Sequence, residues 1–273
     1  MKNNTRNALP GLSLSLGYSM TYLSLLVLIP LSACFLKTAT LSWKEMGDVV
    51  WSQRTLSAYS LTFSSAFFAA VINMVLGFWV AWVLVRYEFP GKRLLDSLVD
   101  LPLALPTAVA GLVYSSLYVE NGWFGRFLVP LGIEGAYSKF GIVWVLVFTG
   151  FPFVVRTVQP VLEEIEPEVE EAARIMGASR WQVFTRILFP MVFPALLTGF
   201  AQAFARGLGE YGSVVFVSSN IPFVSEMAPV LIVARLEEMA YAEATAIATV
   251  LLIASFTMLA MINVLEAWSK RRG

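Results

Sequence analysis

The chain has 273 residues, no histidine and a single cysteine, Cys34. One cysteine cannot form a disulfide within the chain, and the side chains most used for metal binding and acid–base catalysis are scarce. Lysine plus arginine and aspartate plus glutamate each number 19, so no excess of positive charge indicates a nucleic-acid partner. We therefore expect no metal site, no catalytic residues and no cofactor in this chain.

Charge of either sign is also sparse. Only 14% of the residues are charged while 58% are hydrophobic, and the mean hydropathy is +0.71, which indicates an integral membrane protein. Six apolar segments approach or exceed the roughly 20 residues that a helix needs to cross a hydrocarbon core: 16–36, 59–85, 101–119, 140–160, 191–217 and 244–266. Because these runs are continuous rather than alternating, we predict an all-α polytopic membrane protein with six transmembrane helices, surrounded by membrane lipid.

The distribution of lysine and arginine predicts the orientation of the spans. The basic N-terminus leads into an apolar run without a convincing small-residue cleavage site, so we expect a retained first span rather than a signal peptide. One side would carry Lys2, Arg6, Arg86, Lys92, Arg93, Arg156, Arg174, Arg180, Arg186, Lys270, Arg271 and Arg272. The other would carry Lys37, Lys44, Arg54, Arg126, Lys139 and Arg235. The richer side should be cytoplasmic, which places both termini there.

A charged, amphipathic segment at 167–190 separates two of the apolar runs. Pro167 suits the first turn of a helix, and the glutamates that follow favour the positive end of its dipole: Glu168, Glu170 and Glu171. Gly177 stands where a left-handed C-terminal cap would be, and Ser179 with Gln182 fits a capping box. The pattern predicts a helix, a tight turn and a second helix.

The first of these helices carries one apolar face, formed by Val169, Ala172, Ala173 and Met176. In a soluble protein this would most simply be a packed amphipathic hairpin. Between membrane spans, with alanines small enough to allow a close approach from outside, we favour a surface on which another protein docks.

Several predicted spans contain helix-breaking residues. Asp-Leu-Pro at 100–102 and Leu-Pro-Thr at 105–107 place one proline each in the first turns of the third span. Gly-Phe-Pro at 150–152 should break the fourth span, and the glycines at 207–212 lie in the fifth. Such residues free backbone groups that neighbours or a water-filled path must satisfy. They are either kinks that shape packing or pore-facing hinges.

The fifth span also carries Arg206 and Glu210, spaced i and i+4. Ionisable residues inside a membrane are costly and are normally paired or face a cavity. The two form either a structural ion pair or a site where Arg206 offers positive potential to an anion in transit. We therefore select as candidates for a translocation path Pro106, Thr107, Arg206, Gly209, Glu210, Gly212 and Ser213.

Glycines 207, 209 and 212 also spell G-x-G-x-x-G, but a dinucleotide site needs a strand before this motif and a helix after it. No P-loop motif, G-x-x-x-x-G-K-[ST], occurs in the chain. If ATP drives transport, its hydrolysis must take place on another polypeptide.

The charged segment resembles the EAA signature of bacterial ABC importer permeases. The matching positions are Glu171, Ala172, Ala173, Gly177, Ile187 and Pro190. Phe189 departs from the pattern, which usually has leucine there. The resemblance implies that 161–190 is the cytoplasmic coupling loop by which a membrane subunit contacts its ATPase.

The stretches at 10–17, 86–91, 100–112, 152–164 and 207–222 extend the resemblance over nearly the whole chain. Together they are similar to the T-subunit permeases of bacterial sulfate/thiosulfate ABC importers, in the binding-protein-dependent transport inner-membrane component family. The resemblance implies the type I ABC importer permease (MetI-like) fold, as one transmembrane domain over 1–273 with its core at about 59–266. It also implies a multi-pass location in the bacterial inner membrane.

The partners implied by the resemblance are a pair of ATPase subunits that bind Mg-ATP, a second, W-like permease forming a heterodimer, and a periplasmic sulfate/thiosulfate-binding protein. Residues 209–212 are also shared with molybdate permeases, so molybdate, tungstate or another oxyanion stays open as the cargo. A secondary transporter or channel would need neither the EAA loop nor an ATPase. A membrane enzyme is disfavoured because no histidine, cysteine cluster or paired carboxylates occupy a span.

Overall fold

A computed structural model of the protein describes residues 12–270, which form helices without any strand. Two π-helical segments, Ser24–Leu28 and Phe184–Leu188, and one 3-10 turn, Val129–Leu131, interrupt or join them. The helices are α1 (Leu12–Leu23), α2 (Ile29–Thr38), α3 (Trp43–Val50), α4 (Gln53–Arg86), α5 (Lys92–Val99), α6 (Leu101–Ala104), α7 (Thr107–Tyr118), α8 (Gly125–Leu128), α9 (Lys139–Glu164), α10 (Pro167–Ile175), α11 (Arg180–Val183), α12 (Phe189–Leu208), α13 (Val214–Val217), α14 (Ala228–Glu237) and α15 (Tyr241–Lys270).

Within these residues, five helical stretches are long and apolar enough to cross a membrane. They are Leu14–Thr38, Gln53–Arg86, Lys139–Glu164, Arg180–Leu208 and Tyr241–Val264. Five of the six predicted spans are thereby matched, and the prediction of an all-α polytopic protein is confirmed. The terminal residues Lys2, Arg6, Arg271 and Arg272, on which the cytoplasmic placement of the termini partly rests, lie outside the described residues.

The third predicted span, 101–119, is not one helix. Leu105 is extended (φ −82, ψ 135), and Pro106 follows it as the N-cap of α7. A residue before proline is pushed out of the helical region, so α6 stops after four residues and α7, of twelve, begins anew. The two pieces are each too short to count as a span, and the number six stays a prediction.

The fourth predicted span, 140–160, is not broken as the sequence led us to expect. Helix α9 runs unbroken from Lys139 to Glu164 with Pro152 inside it, so Gly-Phe-Pro at 150–152 does not break the helix. Gly150 instead allows close packing, because a Cβ there would lie 2.6 Å from the buried Asn73 Nδ2 of α4. Helix α9 packs against α4 and α12, and neighbouring helices can satisfy the backbone group that a proline leaves free in a membrane helix.

The fifth predicted span, 191–217, ends earlier than expected. Helix α12 stops at Leu208, so Gly207 lies in its last turn, and Gly209 and Gly212 lie beyond its end rather than inside the span. At the other end α11 and the π-helical segment Phe184–Leu188 extend the span back to Arg180. We call residues 209–213, which join α12 to α13, the elbow.

Helices α4, α9 and α12 form the centre of the fold, and all three contribute buried residues to the main hydrophobic cluster. Gly77 of α4 and Gly199 of α12 both face Val154 of α9, since a Cβ on either would lie within 3 Å of it. Small residues let membrane helices approach closely. Ser52 and Ser138 cap the N-termini of α4 and α9 by accepting hydrogen bonds from Thr55 N and Gly141 N.

Candidate functional site

The loop that follows α9 has the predicted helix–turn–helix form. Gly177 has φ 85, and the bonds Gly177 N→Arg174 O and Ala178 N→Ala173 O, both 3.0 Å, close a Schellman cap on α10. The capping box between Ser179 and Gln182 then starts α11, since each side chain bonds the other residue's backbone N–H. These local features confirm the conformation predicted for this loop, here called the EAA loop.

Burial divides the predicted apolar face of α10. Ala173 is only 2% exposed and packs in the main hydrophobic cluster with Val183 and Leu188, so it anchors the loop and is not free to meet a partner. Ala172 points outward and is exposed. The expectation that both alanines face outside is wrong for Ala173, because adjacent helical positions lie about 100° apart around the axis.

Three large apolar side chains near the turn are exposed. Met176 belongs to the apolar face predicted for α10, whereas Ile175 and Trp181 were not selected from the sequence. Ile175 is 87% and Met176 80% exposed, and Trp181 on α11 is also exposed. Glu171, Ala172 and Gly177 share this outer surface. The signal available in the sequence was the run of two apolar residues directly before the capping glycine, where a buried helix end would not be expected.

One ion pair attaches α10 to the end of α4, and a second lies within α10. The Glu170 carboxylate, mostly buried, contacts Arg86 Nη1 at the last residue of α4 and lies 3.2 Å from Arg174 Nη2. The loop therefore sits at the end of the bundle where α4 and α9 terminate and α12 begins, which we call the EAA end. Arg174 and Arg180 lie at the exposed margin.

The remaining positions of the signature lie where α11 passes into α12. Ile187 is half-buried against the main cluster, and Pro190 is exposed in the first turn of α12. Phe189, the departure from the signature, packs its ring against Phe184, with centroids 6.1 Å apart, and also contacts Phe78 and Phe193. The aromatic neighbours explain how the larger side chain is accommodated.

The structure brings predicted path residues of the elbow, Gly212 and Ser213, together with Thr107 at the start of α7. A Cβ on Gly212 would overlap the hydroxyl of Thr107, the first residue of α7. A Cβ on Gly111, one turn further along α7, would overlap the Ser213 carbonyl. The elbow thus lies directly on α7 beside the break at Pro106. Its glycines follow a helix rather than a strand, which excludes the dinucleotide motif.

The predicted pair of Arg206 and Glu210 forms. Arg206 Nη1 lies 2.7 Å from Glu210 Oε2, and the Glu210 side chain is 1% exposed. The other carboxylate oxygen accepts hydrogen bonds from Ser213 N and Ser213 Oγ, both 2.9 Å. Glu210 therefore fixes the elbow as well as balancing Arg206, whose side chain stays partly exposed. Gly209 is exposed, and a Cβ on it would meet nothing within 4 Å.

The approach of the elbow to α7 gives a first prediction. We expect Gly111→Ala to lower the stability of the purified protein by about 1–3 kcal/mol and to slow transport, because the added methyl group forces the Ser213 backbone away. Gly209→Ala is the matched control for stability, with open space around the added methyl group and a negative φ of −97. Thermal unfolding and transport of both variants test this. Equal behaviour of the two would refute the close approach.

Residues 73–272 match the family model described as "Binding-protein-dependent transport system inner membrane component". The chain belongs to this family. The match covers α9, the EAA loop and the elbow, so the features described above all lie within the region shared with the family.

Curated relatives are similar over nearly the full length. The "Sulfate transport system permease protein CysT" of Escherichia coli (strain K12) is 47% identical over 269 residues, covering 98% of this chain and 97% of the relative. The protein of the same name from Synechocystis sp. (strain ATCC 27184 / PCC 6803 / Kazusa) is 47% identical over 261 residues, covering 95% and 91%.

Solved structures of distant sequence share the fold. A bacterial ABC transporter that imports the acidic polysaccharide alginate matches with a TM-score of 0.77 at 16% identity, covering 94% of both chains. An inward-facing MetNI methionine ABC transporter matches with a TM-score of 0.55 at 19% identity, covering 85% of this chain and 99% of that one. The predicted MetI-like permease fold of ABC importers is confirmed, and the chain is a permease component with several membrane-spanning helices.

Proposed function

We propose that this chain is the membrane-spanning permease subunit of an ATP-driven importer that moves sulfate or thiosulfate across the bacterial inner membrane. The observation that carries the proposal is the 47% identity, over nearly the full length, to permeases named for sulfate transport. The cargo would arrive from a periplasmic binding protein, and a second, W-like permease would complete the membrane path. The chain itself would translocate and not catalyse.

The EAA loop is the proposed contact with an ATPase subunit that binds Mg-ATP. Its exposed part offers large apolar side chains around a rigid turn, a composition suited to a protein interface. We assign the centre of this contact to Ile175 and Met176 with Ala172 and Gly177, and place Glu171, Trp181, Arg174 and Arg180 around it. Ala173 and Ile187 would act by holding the loop on the bundle, and Pro190 by favouring the first turn of α12.

The elbow and the start of α7 are the proposed lining of the translocation path. Arg206 is the cation beside the elbow, and its partly exposed guanidinium could face a dianion while Glu210 limits how tightly that anion is held. Thr107 and Gly212 lie together there and Pro106 at the adjacent break, whereas Gly209 offers open space. Ser213 is fully buried, and we assign it the role of holding the Glu210 carboxylate. A weak site suits transport, because tight binding would slow release.

Reconstitution tests the function. Proteoliposomes containing this chain, a W-like permease, the ATPase pair and the binding protein should accumulate radiolabelled sulfate only when Mg-ATP is in the compartment facing the EAA loop. A non-hydrolysable ATP analogue is the control and should support no uptake. Uptake of molybdate or tungstate without sulfate would favour the alternative oxyanion importer, which the shared residues 209–212 keep open. Uptake driven by an ion gradient alone would contradict an ABC importer.

A further inference from the structure

One arginine at the EAA end joins two parts of the chain that are far apart in sequence. Arg156 of α9 donates from Nε and Nη2 to the two carboxylate oxygens of Asp100, at 2.8 and 2.7 Å. Its Nη1 donates to Asp96 Oδ1 at 2.6 Å and to Gln159 Oε1 at 2.8 Å, and Nη2 also donates to the Asp96 carbonyl at 2.8 Å. We call these residues the Arg156 clamp.

The chemistry of the clamp suits positioning better than stabilisation. All three charged side chains are partly exposed, and ion pairs in contact with water contribute little to folding. A guanidinium that is bidentate to one carboxylate and bonds a backbone carbonyl nevertheless fixes direction as well as distance, which a lysine cannot do. The Arg156 guanidinium also holds the pKa of the Asp100 carboxyl below its usual range. The bidentate contact with Asp100 is therefore present at neutral pH and is weakened as the pH falls through that lowered pKa.

One side of the clamp leads directly to the EAA loop. Arg156 lies on α9, which continues without a break to Glu164, and α10 begins at Pro167. Ile165 between them is buried in the main cluster, so this connection is packed rather than loose. A shift of the loop is therefore expected to move α9, and Arg156 with it.

The other side leads to the elbow. Asp96 is on α5, and Asp100 joins α5 to α6. After α6 the helix is interrupted at residues 105–106, and Thr107, the first residue of α7, lies against Gly212. The clamp is the polar link between α9 and this short segment, which ends at the break beside the proposed path.

We propose that Arg156 is a positioning residue that couples α9 to α5 and α6, so that movement of the EAA loop shifts the broken helix at residues 105–106. The inference rests on the proposed function, since it assumes that the loop meets an ATPase and that the elbow lines the path. Breaking the clamp then separates ATP hydrolysis from transport without removing either the docking surface or the path residues.

The test compares clamp variants in the reconstituted complex. Arg156→Gln should still assemble and hydrolyse ATP, while the sulfate taken up per ATP hydrolysed falls by about tenfold, within the range by which mutations in coupling networks act. Arg156→Lys keeps the charge but cannot make the bidentate contact, so its sulfate uptake per ATP should lie between those of the parent and Arg156→Gln. The control is Arg54→Gln, which breaks the similar bidentate pair of Arg54 with Glu226 outside the clamp. It should lower stability and leave uptake per ATP unchanged.

A second measurement follows the movement itself. In a Cys34→Ser background, Leu103→Cys at an exposed position of α6 introduces the only cysteine of this chain, and its labelling is followed on this chain after the subunits are separated. Its labelling rate by a thiol reagent should change when Mg-ATP is added to the parent complex and should not change with Arg156→Gln.

The outcomes separate the two proposals. Failure of the parent complex to import sulfate with ATP would refute the proposed function. A working parent with unchanged uptake per ATP and unchanged labelling in Arg156→Gln would overturn the inference. Failure of both Arg156→Gln and the milder Asp100→Asn to assemble would assign the clamp to folding and would also overturn it.

Discussion

Replacing Gly177 with valine should abolish ATP-driven uptake while the protein still inserts and folds. The turn requires φ 85 at this position, and a left-handed conformation costs a side-chain-bearing residue about 1–2 kcal/mol, with β-branched residues affected most. The Schellman cap would open, and the orientation of α10 relative to α11 would change. Since Ile175 and Met176 stand next to this turn, the proposed ATPase surface would be lost with it. Co-purification with the ATPase and uptake in proteoliposomes measure the effect.

Two matched variants separate strain from contact. Gly132 has φ 77 and, like Gly177, open space around a Cβ, but it lies in the connection between α8 and α9. Gly132→Val should therefore carry similar strain and keep ATPase binding. Gly177→Asn adds a side chain that tolerates the left-handed region, so it should preserve the turn and weaken binding only if the ATPase covers this point. Normal ATPase binding and uptake by Gly177→Val would refute the assignment of the loop.

Removing Arg206 alone should have the largest effect on stability. In Arg206→Met the Glu210 carboxylate, 1% exposed, would lose its counter-ion, which typically costs about 3–5 kcal/mol. Glu210→Gln should cost less, because Arg206 is partly exposed and the amide oxygen still accepts from Ser213. The double variant Arg206→Met/Glu210→Gln should therefore be more stable than Arg206→Met alone. Thermal unfolding of the three purified proteins tests this order.

Transport by the double variant distinguishes the two roles of the pair. If Arg206 also attracts the anion, the double variant should assemble normally and transport sulfate slowly, while Arg206→Lys should keep most of the rate. A double variant that transports like the parent would leave the pair as a structural contact, and both residues would leave the proposed path. Rates have to be compared at equal amounts of assembled complex, because loss of stability lowers the yield.

The conformation of the EAA loop could be predicted because its determinants are local. A proline at the start of α10, a glycine in the left-handed region at its end and a serine–glutamine capping box all act within a few residues. The pairing of Arg206 with Glu210 was also predicted from their spacing of four residues, although Glu210 lies in the elbow, two residues beyond the end of α12. Continuous apolar runs are also a local feature of the sequence, and they were enough to predict five of the membrane-crossing stretches.

Proline alone did not determine where helices break. Pro152 lies inside an unbroken α9, held by α4 and α12, whereas Pro106 follows an extended Leu105 and starts a new helix. From the sequence alone, Pro106 and Pro152 are both expected to interrupt a helix, because each leaves a backbone group without its hydrogen-bond partner. Packing of the neighbouring helices decides whether that group can be absorbed.

The sequence by itself determined the helical class, the apolar spans, the turn of the EAA loop and the pair at the end of α12. Only the tertiary structure decided that Ala173 is buried, that the elbow lies on α7 and that Arg156 joins α9 to Asp96 and Asp100. Periodicity and capping act over one or two helical turns, so their consequences can be predicted from a single sequence. Burial and long-range contacts depend on which helix faces of distant segments meet, and that is set by packing the whole bundle.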